Sequence, residues 1–262
     1  MTTRSATSIA GLLVTAALTA LVGCPGGEEP ALVAVPVEVA SAQPAAFTTA
    51  QGYDVELDGG VLVLGDLHFH EPKDVEQEAA RAAPARRALW GLVGPAAALA
   101  HPGHDMSGDV RGEWTGTTHV DLLADTRSLG EGSFYEGPYE TASLLLQQDG
   151  VDGDAGLEPG SPGVGHTLAV AGTADDGSGP VPFAFVVDHG KTILGIPFAA
   201  EVVAADPPLV RLTVDPAELL GHLDFAAVDT DGDGTVTEAD DDAINPLMFG
   251  LESNLTFRYE IE

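Results

Sequence analysis

The chain has 262 residues, 44% of them hydrophobic and only 19% charged, a composition that buries a core and is not that of a disordered protein. Ten basic against 41 acidic residues leave a formal net charge of −31, and a surface of that sign repels nucleic acid and anionic lipid while attracting divalent cations. Nucleic acid is therefore excluded as a partner, and 32 glycines with 18 prolines favour many turns over long helices.

Residues 1–8, MTTRSATS, carry one positive charge at Arg4, and Ile9–Val22 is an apolar run of small and aliphatic side chains. That run is short for a transmembrane helix but suits the core of a signal peptide. Cys24 is the single cysteine, so no intramolecular disulfide can form. The tetrapeptide Leu21-Val22-Gly23-Cys24 resembles a bacterial lipobox. The resemblance implies removal of residues 1–23 as a lipoprotein signal peptide and acylation of Cys24, palmitate included. Two or more acyl chains suffice for stable anchoring, so the expected location is the cell envelope, with the membrane reached through an N-terminal lipid anchor. Pro25 stands where a Gram-negative retention aspartate would sit, which favours the outer membrane over the periplasmic face of the inner one.

Residues 24–45 are rich in Pro, Gly, Ala and Val without helical period and read as a flexible tether, within which Ala31–Val39 has the pattern of an edge strand. From Phe47 the pattern becomes short alternating segments. Gly52–Leu57 predicts a strand, Asp58-Gly59-Gly60 a hairpin turn, and Val61–His70 a second strand with Val61, Val63, Leu67 and Phe69 on its apolar face. Residues of about 75–100 have helical composition broken by Pro84 and Pro95, which predicts a short helical insertion. Further strands are predicted at Glu113–Leu123, Tyr139–Gln147, His166–Ala171, Val181–Val187, Ile193–Pro197, Leu209–Val214 and Asn254–Ile261. The expected fold class is mainly β: an antiparallel β-sandwich over residues 46–262, carrying the helical insertion and a metal-binding loop near the C-terminus.

That loop is Asp229–Asp240, DTDGDGTVTEAD. Acidic side chains occupy positions one, three and five (Asp229, Asp231, Asp233), Gly234 makes the turn at six, and Val236, Thr237 and Asp240 stand at eight, nine and twelve. Calcium takes six to eight oxygen ligands, and this spacing wraps a short loop around it. The segment resembles the EF-hand loop, and Asp at position twelve is closer to its dockerin-type variant. The resemblance implies Ca2+ held by Asp229, Asp231, Asp233, Asp240, the Thr235 carbonyl and Thr237. Asp215 with Pro216 reads as the start of an entering helix, and Phe225 matches the aromatic residue such helices carry four residues before the loop. Downstream, Ala239–Ile244 begins an exiting helix that Pro246 should stop early. A single loop with a stunted exit argues for structural calcium rather than a sensor, and it gives no support for cohesin as a partner.

A second constellation is formed by His68 and His70, at i and i+2 on one strand face, with His101 and His104 on a following loop and His119 in the next strand. Imidazoles brought together would hold copper or zinc; the competing reading is an exposed strand face and a polar turn. Catalytic signals are poor. No G-x-S-x-G elbow occurs, and GKT at 190–192 has Phe185 where a phosphate loop needs its first glycine. The chain is expected not to be an enzyme. Two functions follow as expectations: a lipid-anchored envelope protein with structural calcium, or a periplasmic or surface copper- or zinc-binding protein.

Overall fold

The computed structural model describes residues 30–42, 45–73, 108–124, 126–150, 155–227 and 235–262. The predicted signal peptide, Cys24 and the helical insertion lie outside them. The described chain is mainly β and forms one curled, mixed sheet, where two separate antiparallel sheets were expected.

Its centre is β3 (Asp54–His70), a 17-residue strand that borders neighbours on both edges along its whole length. One edge carries β8 (Leu168–Asp175) and then β7 (Gly137–Leu146); the other carries β2 (Ala46–Thr48), β5 (Thr118–Asp121) and β4 (Val110–Trp114) in turn. The predicted hairpin at Asp58–Gly60 does not form. A two-residue hairpin needs left-handed backbone, and neither Gly59 nor Gly60 adopts positive φ. The strand instead runs straight through, with a bulge between Leu57 and Gly59. Gly60 packs so closely on Leu122 that a Cβ there would lie 2.9 Å from it. The register shifts again between Leu64 and Leu67. Each slip of one residue exchanges the two faces of a strand. Hence Val55, Leu57, Leu62, Leu64, Leu67 and Phe69 join the main core cluster, while Val63, which simple alternation had grouped with Leu67 and Phe69, is fully buried outside that cluster and Val61 is only half-buried.

From β3 the sheet continues through β4, β6 (Thr126–Tyr135), β1 (Leu32–Ser41), β11 (Val210–Val214) and β13 (Phe257–Ile261). In the other direction β7 pairs with β10 (Lys191–Val202), and β10 lies against β13, so the sheet curls back on itself. Inside the curl sits an aromatic cluster of Phe69, Phe134, Tyr139, Phe198 and Tyr259, with centroid separations of 4.7–6.0 Å. The stretch read as a tether supplies β1, which is no edge strand. It pairs with β6 on one side and, in parallel, with β11 on the other, burying Val33, Val35, Val37 and Val39. Alternating valines that bury one face hold residues 32–41 in the sheet despite their tether-like composition.

Two tyrosines of this cluster differ in a way that can be measured. The Tyr139 hydroxyl lies 2.8 Å from the carbonyls of both Arg111 and Tyr135, whereas the buried Tyr259 hydroxyl makes no hydrogen bond among the described residues. A buried polar group left unpaired costs about 1–3 kcal/mol. Tyr259→Phe is expected to leave stability unchanged or raise it by about 1 kcal/mol, and Tyr139→Phe to lower it by about 1 kcal/mol, in urea unfolding. The opposite order would refute the assignment.

The second half of the sheet pairs β8 with β9 (Pro180–Val187), and β9 with the two-residue β12 (Val236–Thr237) in parallel. Two helices, α1 (Pro216–Leu220) and α2 (Asp241–Glu252), pack against each other, and α1 also meets β2. Asp215 caps α1 through its side chain, which accepts from Ala217 N, with Pro216 following it, as the sequence predicts. Pro246 does not stop α2. The helix runs on to Glu252, because Ala243, Leu247 and Leu251, one turn apart, are fully buried and outweigh one lost backbone bond. At its end Glu252 pairs with Lys191, and its other oxygen lies 3.1 Å from His189 Nε2. The Lys191 bond holds the Glu252 carboxyl below its ordinary 4.5. A lowered carboxylate contributes stability above its unfolded value and loses it as pH falls through the folded one. A Glu252→Gln variant should thus be less stable near neutrality, by less than about 1 kcal/mol for so exposed a pair, with the gap closing in acid. A gap independent of pH would count against this pairing.

Candidate functional site

The predicted calcium loop joins α1 to α2, and its acidic positions Asp229, Asp231 and Asp233 lie outside the described residues. What surrounds them is well defined. Helix α1 ends at Leu220 with Gly221 as its C-cap, so Phe225 is not on an entering helix. It is nevertheless fully buried, with its ring 5.3 Å from Tyr53 and 5.1 Å from Phe183. The Tyr53 hydroxyl donates to Asp224 Oδ1 at 2.5 Å and accepts from Ala226 N at 3.1 Å. Burial, followed by that carboxylate, raises the Tyr53 pKa. Residues 224–226 are thereby fastened to the strand-entering segment before β3. No motif pointed to Tyr53; only the fold brings residues 171 positions apart together.

The downstream flank is fastened as firmly. Val236, at loop position eight, is buried, and β12 lies in register with Phe183 and Ala184 of β9. Glu238 reaches across to accept from Val186 N at 3.2 Å. The position-twelve residue, Asp240, is 1% exposed, and its Oδ2 accepts from Thr237 N at 2.9 Å. The Thr237 hydroxyl accepts from Ala239 N at 3.2 Å. Asp240 then serves as the N-cap residue of α2. The two helices meet closely: a Cβ on Gly250 of α2 would lie 2.0 Å from the Leu219 carbonyl of α1. The helical frame is thus short on the entering side and full length on the exiting side, the reverse of the sequence expectation.

Calcium fits this frame by donor chemistry. The candidate donors at 235, 237 and 240 are all oxygens, and a buried carboxylate already sits where the loop closes. Among the described residues alone, no three His, Cys, Asp or Glu side chains form a group that could hold a metal ion.

The strand register sets His119 apart from His68 and His70. His101 and His104 lie outside the described residues. His70 is buried with both ring nitrogens engaged, Nδ1 3.1 Å from the Gly108 carbonyl and Nε2 3.1 Å from Ser143 Oγ. His68 stands opposite Glu113 and Ser143 on β3. His119 of β5 stands opposite Val63, five residues along β3, which at ~3.3 Å per residue is about 16 Å from His68. Its Nδ1 is 2.7 Å from the Ala155 carbonyl. Metal–nitrogen bonds near 2 Å cannot join groups so far apart.

No helix among the described residues is long and apolar enough to cross a membrane. Compared with protein families, curated proteins and solved structures, the chain matches none of them.

Proposed function

We propose that this chain is a lipid-anchored, calcium-binding protein of the cell envelope in which calcium is structural and the role is binding or scaffolding rather than catalysis. The observation that carries the reading is the fastening of both flanks of residues 228–234. Tyr53 and Phe225 hold the upstream side, and β12 and the buried Asp240 hold the downstream side. Flanks so fastened do not suit the opening motion of a sensor, and an ion bound between them would tie β9 and α2 to the strand core. Asp229, Asp231, Asp233, Thr235, Thr237 and Asp240 would supply the oxygens, and Cys24 the anchor. Calcium is plentiful outside cells, so a site of the ~10⁻⁴–10⁻³ M class stays filled there.

The direct test is metal analysis of the purified protein together with its melting temperature in calcium and in chelator. One equivalent of calcium and a higher melting temperature in its presence support the proposal. Stoichiometric copper or zinc lost on His68→Ala, or a melting temperature indifferent to calcium, would overturn it. For the anchor, mass spectrometry of the membrane fraction should show acyl chains on Cys24, and an unmodified soluble product would refute that part.

A further inference from the structure

A cavity of about 310 Å³ opens between β1, β5 and β6, away from the calcium loop. Its apolar side is Val39, Ala40 and Val120, all buried, and its polar side is His119 and Arg127, with Ala124 at an exposed position. Arg127 stands apart from the other arginines of the described residues. Arg111 meets Glu71 at 3.0 Å, Arg211 meets Glu38 at 3.1 Å and also Glu262, and Arg258 lies 3.9 Å from Glu260. In a chain with 41 acidic residues, Arg127 meets no carboxylate among the described residues. Its Nη1 lies against the His119 ring instead, 2.7 Å from Nδ1 and 3.1 Å from Nε2.

That arrangement is built rather than incidental. Asp149 Oδ1 accepts from Ala155 N at 3.0 Å, and the Ala155 carbonyl in turn lies 2.7 Å from His119 Nδ1. The ring is thereby held between the Ala155 carbonyl on one side and the guanidinium on the other. Gly156, at φ +73°, lets the backbone pass the arginine: a Cβ there would lie 3.2 Å from Nη2. One of the five guanidinium N–H groups is spent on histidine, and the fork retains donors that match a carboxylate.

We propose that this cavity binds a small aliphatic monocarboxylate, with its carboxylate on Arg127 and its tail on Val39, Ala40 and Val120. Room for about ten waters at ~30 Å³ each sets an upper bound of about ten heavy atoms on the ligand, and butyrate falls within it. A single charge is favoured because the field of a chain at −31 opposes anions in proportion to their charge, and Asp121 on the lining opposes a second one locally. This site is independent of the calcium reading and survives its failure.

The test is titration of the full chain with butyrate and, separately, inorganic phosphate, against sodium chloride of equal ionic strength, followed by NMR shifts. The wild type should bind butyrate saturably and more tightly than phosphate. Arg127→Gln, which removes the cation, and Ala124→Phe, which fills the mouth, should each weaken butyrate at least tenfold. Arg258→Gln, an exposed arginine elsewhere, should bind as the wild type does. Unchanged melting temperatures would show all three variants folded. Absent saturation, tighter phosphate than butyrate, or equal affinity in Arg127→Gln would overturn the proposal.

Discussion

Replacing Phe69 by alanine is expected to lower the unfolding free energy by about 3–5 kcal/mol. Phe69 is fully buried on β3, and its ring lies 4.7 Å from Phe134, 4.9 Å from Phe198 and 5.3 Å from Tyr259. Those partners belong to β6, β10 and β13, so one side chain joins both arms of the curled sheet at the place where they come back together. The loss combines transfer of a large apolar ring with a cavity that its neighbours cannot close, because each is held by strand pairing. Urea unfolding of Phe69→Ala beside Phe249→Ala is the measurement. Phe249, 62% exposed on α2, should change stability by less than about 0.5 kcal/mol. A Phe69→Ala variant within 1 kcal/mol of the wild type would mean that the curl is not closed through this cluster.

Asp229→Ala and Asp233→Ala are expected to abolish the stabilisation that calcium gives and to change nothing in chelator. An ion that binds only the folded state adds about 2.7 kcal/mol at a hundred times its dissociation constant. For a site of ~10⁻⁴ M that condition is met near ~10 mM calcium. The wild type should therefore melt several degrees higher in calcium than in chelator, with both variants melting alike in either. The structure adds a second expectation about where that stability goes. Because β12 pairs with β9 and α2 packs on α1, hydrogen exchange should slow on calcium binding at β9 and α2 and change little at β1 or β6. Equal melting of mutant and wild type in calcium would sink the structural role.

Much of this architecture is legible in the residues. Strands β7, β9, β11 and β13 fall where alternation and turn residues place them, β8 and β10 begin there but run on to Asp175 and Val202, and the Asp215–Pro216 start of α1 follows from capping chemistry alone. The failures have definite causes. Strand β6, TRSLGEGSFY, has too few apolar residues to announce itself; it is made by pairing with β1 and β4. Glu113–Leu123 reads as one strand but breaks at Gly116, φ +150°, into β4 and β5. The prolines mislead in the same way: Pro36 and Pro246 both sit inside regular elements because burial of their neighbours outweighs the missing N–H. Of the candidate site, the loop spacing singled out Thr237 and Asp240, whereas Tyr53 and Arg127 carry no motif and gain meaning only from what lies across from them.

By itself the sequence determined the mainly-β class and the acidic composition, and it supplied the grounds on which the anchor and the calcium loop are proposed, because composition and short-range spacing are local properties. Only the tertiary structure decided that β3 runs unbroken through three residues with turn chemistry, that a tether-like segment is an inner strand, and that the histidines of β3 and β5 stay apart. Each of those depends on pairing between distant segments. There one slip in register moves a side chain to the opposite face, and burial across the sheet outweighs the preference of any single residue.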